Sequence, residues 1–415
     1  MPRKRRARSP LNPQNFLKRR RVDAAPGFIG GDNCVNIQNT FLPLNPLANI
    51  PLNDSRLLNN NIIVPNRPAP LEDDDQDHLI YQYGDIIQNR YRLTEVLGEG
   101  TFGKVVKCFD TYRKKVVALK MIKNVRKYKD AAKLEINVLN KIKKYDPSGK
   151  HLCVSMLDWF DYHGHMCISF EMFGQSVYEF LKDNQFNPFP ISQVKAMAYD
   201  LCYSVNFLHR NRMTHTDLKP ENILFYNSGH DVIFNFAKGI ALKHVRNPEI
   251  RLIDFGSATL DHEHHSTTVS TRHYRAPEVI MELGWAQPCD VWSVGCILFE
   301  LVMGVTLFQT HEDREHLAMM ERVLGPLPAR LTSRSRTKFF DTADRLVWND
   351  NTSEGRYVRK NCKALYKYIP REERGNPDWE NLFDLVRKML IFEPNKRLTL
   401  TEALRHRFFN SVKNF

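Results

Sequence analysis

Cysteine is sparse and dispersed: eight residues in 415, none in a C-x-x-C pair, with Cys289 and Cys296 the closest at seven apart. Such spacing builds neither a disulfide framework nor a zinc site and fits a reducing compartment. Acids are missing from the first 21 positions, which hold nine Lys/Arg, whereas the remaining 394 residues carry 51 bases and 47 acids. The net charge of +13 therefore belongs largely to one end, and the nearly neutral body gives no reason to expect specific nucleic-acid binding. No apolar core follows the basic start, so no secretory signal is expected. Long uncharged apolar runs are also missing. The nearest, VWSVGCILFELVMGVTLF (Val291–Phe308), carries Glu300 within it and reads as a buried helix of a large domain rather than a membrane span.

Residues 1–80 have little periodic apolar pattern. They contain the clusters KRRAR (Lys4–Arg8) and KRRR (Lys18–Arg21), an Asn/Pro-rich stretch and the acidic run EDDDQD (Glu72–Asp77). A segment so poor in apolar surface cannot offset its ordering entropy, and it is expected to be largely disordered. The two basic clusters, nine residues apart, fit a bipartite nuclear import signal. From about Tyr91 the pattern changes. YRLTEVLGEG, KVVKCF and KVVALKMI read as three short strands, and Tyr128–Lys144 as a helix with Ala131, Leu134, Val138, Leu139 and Ile142 on one face. Glu135 falls on that same face, and a carboxylate there needs a partner. HMCISF (His165–Phe170) reads as a strand, Val194–Leu208 as a helix, and the chain beyond about Gly284 as mostly helical.

Four strings follow in order: GEGTFG (Gly98–Gly103), VALK ending at Lys120, HTDLKPEN (His215–Asn222) and DFG (Asp254–Gly256), with APE (Ala276–Glu278) closing the set. Glycines at 98, 100 and 103 let backbone approach phosphates closely, and Phe102 at the loop tip is placed to cap them. Lys120 ends an apolar strand, where its ammonium needs a partner, and Glu135 is the acid available to orient it on the α/β-phosphates. Asp217 is placed to accept a substrate hydroxyl proton, Lys219 to neutralise the transferring phosphoryl group, and Asn222 and Asp254 to ligate a divalent cation. One such string is weak evidence. Together they are the signature set of a protein kinase.

The chain from about Tyr91 to Phe409 resembles the LAMMER, or CDC-like, protein kinases. The resemblance rests on EHLAMMERVLGP (Glu315–Pro326), STRHYRAPEVI (Ser270–Ile280), GWAQPCDVWSVGCI (Gly284–Ile297) and NTSEGRYVRKNCK (Asn351–Lys363). FEPNKRLT (Phe392–Thr399) looks like the end of a kinase domain, with Arg397 pairing Glu278. The resemblance implies an α+β, two-lobed fold at residues 91–409 behind a tail at 1–80, and ATP with Mg2+ in the cleft. It puts the nucleotide against Leu97, Gly98, Glu99, Gly100, Thr101, Phe102, Gly103, Lys104, Val105, Ala118 and Lys120. Phe170 becomes the gatekeeper, Glu171 and Phe173 the hinge contacts, and Leu224 the floor. It further implies dual specificity and arginine/serine-rich splicing factors as substrates; the basic clusters add the expectation of a nuclear protein, and a monomer is expected.

Selection of arginine beside the target serine calls for carboxylates along the peptide groove. Glu221, directly before Asn222, and Glu179, just past the hinge, are the candidates. Thr216 stands where regulated kinases carry the arginine that meets a phosphorylated activation segment, so activity without that phosphate is expected. The span Asn227–Glu249 corresponds to a family insertion that differs in detail. The dual-specificity tyrosine-regulated kinases are the alternative, but their Tyr-x-Tyr is missing here and Tyr274 stands alone. A non-catalytic scaffold does not account for intact Lys120, Asp217, Asn222 and Asp254.

Overall fold

A computed structural model describes residues 72–235 and 239–412. The basic clusters Lys4–Arg8 and Lys18–Arg21 and the Asn/Pro-rich stretch lie outside the described residues.

The three β-branched segments become strands of one antiparallel sheet. Its strands are β1 (Ile86–Ile87), β2 (Tyr91–Gly100), β3 (Gly103–Asp110), β4 (Lys115–Ile122), β5 (Met156–Tyr162) and β6 (His165–Glu171), in the order β1-β2-β3-β4-β6-β5. Alternation along a strand sorts the side chains onto two faces. Val106, Cys108, Val117, Leu119 and Met121 close a small core with Tyr91 and Leu93. The opposite face is set by register: Val105 pairs with Lys120, and Ala118 with Phe170. That face is the roof of a cleft.

Helix α1 (Arg126–Tyr145) packs beside the sheet through Ala132, Glu135, Ile136, Val138, Leu139 and Ile142. The expectation for Leu134 was wrong: it is 61% exposed. The buried stripe runs at 132, 135, 139 and 142, and one residue back from Glu135 is about 100° round the helix.

The acidic run also departs from expectation. Disorder was expected through residue 80, yet Glu72–Leu79 lies as a strap on the sheet. Asp73 pairs with buried His165 at 2.8 Å, Asn124 N–H donates to the Asp77 carbonyl at 2.9 Å, and Leu79 is buried. Its acids are not solvating ballast but partners for buried or cationic groups on the sheet, an arrangement that composition does not reveal.

The second lobe is helical. It comprises α2 (Val177–Asp183), α3 (Ile191–Arg210), α4 (Pro277–Ile280), α5 (Pro288–Met303), α6 (Asp313–Leu324), α7 (Ala329–Thr332), α8 (Ser353–Asn361), α9 (Pro377–Met389) and α10 (Leu400–Ala403). Helix α5 is buried nearly all round, as its apolar composition demands. It stops at Gly304, whose φ of +68° and contact with the Phe186 carbonyl leave no room for a Cβ. Among the described residues no helix is long and apolar enough to cross a membrane.

Short antiparallel pairs support the loops between helices: β7 (Met213–Thr214) with β12 (Thr259–Leu260), and β8 (Ile223–Phe225) with β11 (Ile250–Leu252). The insertion forms a ribbon, β9 (His230–Asn235) with β10 (Ile240–Val245), tied down where Asn184 exchanges two hydrogen bonds with the backbone of Lys243.

Candidate active site

The glycine-rich hairpin closes with Gly100 opposite Gly103. A Cβ at Gly103 would sit 2.0 Å from the Met121 carbonyl oxygen, so the close approach of β3 to β4 requires glycine. Thr101 and Phe102 form the tip. The Phe102 ring turns inward and meets Tyr128 of α1 edge-on at 5.2 Å. Glu99 and Lys104 pair in register and direct their side chains to the strap: Glu99 to His78 at 3.4 Å, Lys104 to Asp74 at 3.5 Å. What these two positions offer the cleft is backbone.

Beneath the hairpin, Lys120 Nζ donates to both oxygens of Glu135, at 2.9 and 2.8 Å, and lies 3.5 Å from Asp254 Oδ1. Burial works against the ammonium, but the Glu135 and Asp254 carboxylates outweigh it and hold the Lys120 pKa above its ordinary value. Burial likewise pushes the Asp254 carboxyl up, and Lys120, Lys219 and His215 more than reverse that, so it is ionised. Strand alternation on β4 and helical periodicity on α1 thus bring Lys120 and Glu135 to one point, where the loop containing Asp254 meets them. Val105 lies opposite Lys120 and Ala118 opposite Phe170, and these, with Leu97 and Leu224, are half-buried. Glu171 ends β6 exposed, and the Phe173 side chain is buried.

The loop from His215 to Asn222 is fixed from below by Asp290 of α5, which accepts from the backbone N–H of His215 at 2.8 Å and of Thr216 at 2.9 Å. That clamp stabilises a positive φ of 67° at Thr216, unusual for a β-branched residue. Asp254 shares the strain with φ 63°. The Asp217 carboxylate then faces the cleft, held on Oδ2 by Lys219 Nζ at 2.7 Å and on Oδ1 by the Thr271 hydroxyl at 2.7 Å. Asn222 Nδ2 donates to the Asp217 carbonyl at 2.9 Å, while Asn222 Oδ1 is buried without a hydrogen-bond partner.

The two candidate groove acids differ. Glu179 is exposed and caps α2, its Oε2 accepting from Ser176 N–H at 3.1 Å and Ser176 Oγ–H at 3.2 Å. Glu221 lies deeper, with Oε2 shielded from water and its charge felt by Tyr274 and Glu300. Burial, reinforced by Glu221, raises the Glu300 carboxyl to about 7 even though Tyr274 donates to it at 2.8 Å.

Sequence reasoning gave no role to Asp290, Thr271 or Glu300. A signal existed for two of them: a lone acid within an apolar helix is costly unless it holds something. Thr271 carried no such mark.

The protein kinase domain pattern matches residues 91–409. The chain is 60% identical over 348 residues to Dual specificity protein kinase CLK2 of Mus musculus, covering 84% of this chain and 69% of that protein. It is 58% identical to Serine/threonine-protein kinase Doa of Drosophila melanogaster, over 82% of this chain and 41% of that protein. A crystal structure of a kinase domain superposes with a TM-score of 0.74 at 35% identity, covering 81% of this chain and 100% of the other. With its sheet lobe, helical lobe and cleft between them, the chain belongs to the LAMMER, or CDC-like, family of dual-specificity protein kinases.

Proposed function

We propose that this kinase moves the ATP γ-phosphoryl group to serine and threonine of arginine/serine-rich splicing factors, and to tyrosine in autophosphorylation, in the nucleus. Lys120, steadied by Glu135, orients the α/β-phosphates, and the backbone of Gly98–Gly103 covers them. Leu97, Val105, Ala118 and Leu224 enclose the adenine beside Phe170, and the backbone of Glu171 and Phe173 anchors its edge. The substrate hydroxyl oxygen bonds to the γ-phosphorus as the bond to the ADP oxygen breaks, and its proton passes to Asp217. Lys219 neutralises charge on the transferring group.

Hard oxygen donors suit Mg2+, and the unsatisfied buried Asn222 Oδ1 beside ionised Asp254 is a donor set of that kind. Once bound there, the ion would offset charge on the phosphates. Arginine selectivity is supported by the juxtaposed acids Glu221 and Glu300, whose mutual repulsion a guanidinium would relieve. Glu179 is assigned a lesser part at the rim.

The observation that carries the reading is the Lys120–Glu135 pair at 2.8 Å within reach of Asp254. Lys120→Arg, Asp217→Asn and Asp254→Asn, assayed on Arg-Ser repeat peptides, are each expected to lose at least about 10^2- to 10^3-fold in kcat with unchanged thermal unfolding. Full activity in purified Asp254→Asn protein would overturn the assignment.

A further inference from the structure

Asp313 is the first residue of α6, and its carboxylate receives two arginines of the segment between DFG and APE. Arg275 Nη1 lies 3.3 Å from Oδ1, and Arg272 Nη1 bonds to the same oxygen. The side chains are 5% exposed at Arg275, 25% at Arg272 and 33% at Asp313, so this is a partly dry cluster of two cations on one anion. Arg275 also donates to the carbonyls of Val269 and Ser270, at the point where Ser270 takes a φ of 69°. It therefore ties down the bend that delivers the next residue. That residue, Thr271, donates to Asp217 Oδ1 through both its N–H, at 3.2 Å, and its hydroxyl, at 2.7 Å. One peptide bond separates Arg272, the other arginine held by Asp313, from the residue that holds the reactive carboxylate.

The surroundings leave this charge balance to Asp313. Burial lowers the Arg275 pKa, with Arg272 acting in the same direction and Asp313 against both. His316, fully buried nearby, is kept neutral by burial and by the adjacent His273, Arg275 and Arg272, and adds no cation of its own. At the catalytic loop Thr216 supplies no guanidinium for a phosphate, and its hydroxyl donates to the Ser257 carbonyl at 2.8 Å. Kinases regulated through this segment order it with a phosphate that attracts arginines. Here the anion is already part of the chain.

We infer that Asp313 is a positioning residue for phosphoryl transfer: a fixed carboxylate that holds Arg272 and Arg275, and through them Thr271 and Asp217, in the substrate-ready arrangement without a phosphate. The inference rests on the role proposed for Asp217, so Asp217→Asn is assayed alongside; activity there would sink that role and not merely this one. Full-length protein treated with phosphatase is compared as wild type, Asp313→Asn, Asp313→Ala and Asp313→Glu. Treated wild type should keep its activity within about twofold, and Asp313→Asn and Asp313→Ala should lose about tenfold or more in peptide kcat/KM. Affinity for a fluorescent ADP analogue and the Tm should stay near wild type, Asp313→Glu should recover most of the loss, and Arg272→Ala should add little to Asp313→Ala. Wild-type kcat/KM in Asp313→Asn overturns the inference. So does a parallel loss of nucleotide affinity and Tm, which makes Asp313 a structural residue. An inert treated wild type that an upstream kinase restores overturns it as well.

Discussion

Arg397 closes on Glu278 with two parallel bonds of 2.7 and 2.9 Å, across 119 residues of chain, where both side chains are all but dry. Arg397 also donates to the carbonyls of Ile391, Pro288 and Phe392, so no part of the guanidinium fork is idle. Removing one member leaves the other charge buried alone, and Arg397→Ala should cost about 3–5 kcal/mol in unfolding free energy. Lysine cannot reproduce the planar fork and should recover little of it. Denaturant melts decide; a variant as stable as wild type would show that the pair is not needed for the fold.

Glu221→Ala should lower kcat/KM for Arg-Ser peptides by roughly 10- to 100-fold, and far less for peptides with lysine or alanine in place of arginine. Steady-state kinetics on the three peptide series provide the comparison. Equal losses on all of them would mean that Glu221 only buttresses the catalytic loop.

Glu300 links stability to pH. Its folded-state pKa of about 7 lies above the ordinary 4.5, so its contribution is fully present below the unfolded value and is lost as pH rises through about 7. Glu300→Gln escapes that loss. Relative to wild type, the variant should gain roughly 3 kcal/mol between about pH 4.5 and pH 8. Melts across that range would show a constant difference if Glu300 were ionised throughout.

The basic clusters of the N-terminal segment carry a separate expectation. Replacing Lys18–Arg21 with alanine should abolish nuclear accumulation of the full chain. Imaging of the tagged variant beside wild type checks this, and unchanged distribution removes the import reading.

Much of the cleft was legible because two short-range rules did the sorting. Period 2 along β4 and period 3.6 along α1 were enough to turn Lys120 and Glu135 toward each other, and the motif order supplied Asp217, Asn222 and Asp254. What escaped was long-range. Asp290 meets the backbone of Thr216 from 74 residues away, and Asp313 meets Arg275 from 38. No local pattern encodes such pairs. Leu134 misled for a smaller reason, since an apolar residue at the edge of a stripe satisfies the spacing rule while facing water.

The strap of Glu72–Leu79 has a practical corollary for where the chain can be cut. The family pattern begins at Tyr91, yet a fragment starting there would leave His165 buried without Asp73, remove the side chain of Leu79 from its socket, and release Lys104 and Glu99 of the glycine-rich hairpin from Asp74 and His78. The autonomous folding unit is thus longer than the span of the kinase-domain pattern. A recombinant catalytic domain needs those extra residues for its nucleotide loop to be held as it is in the whole protein.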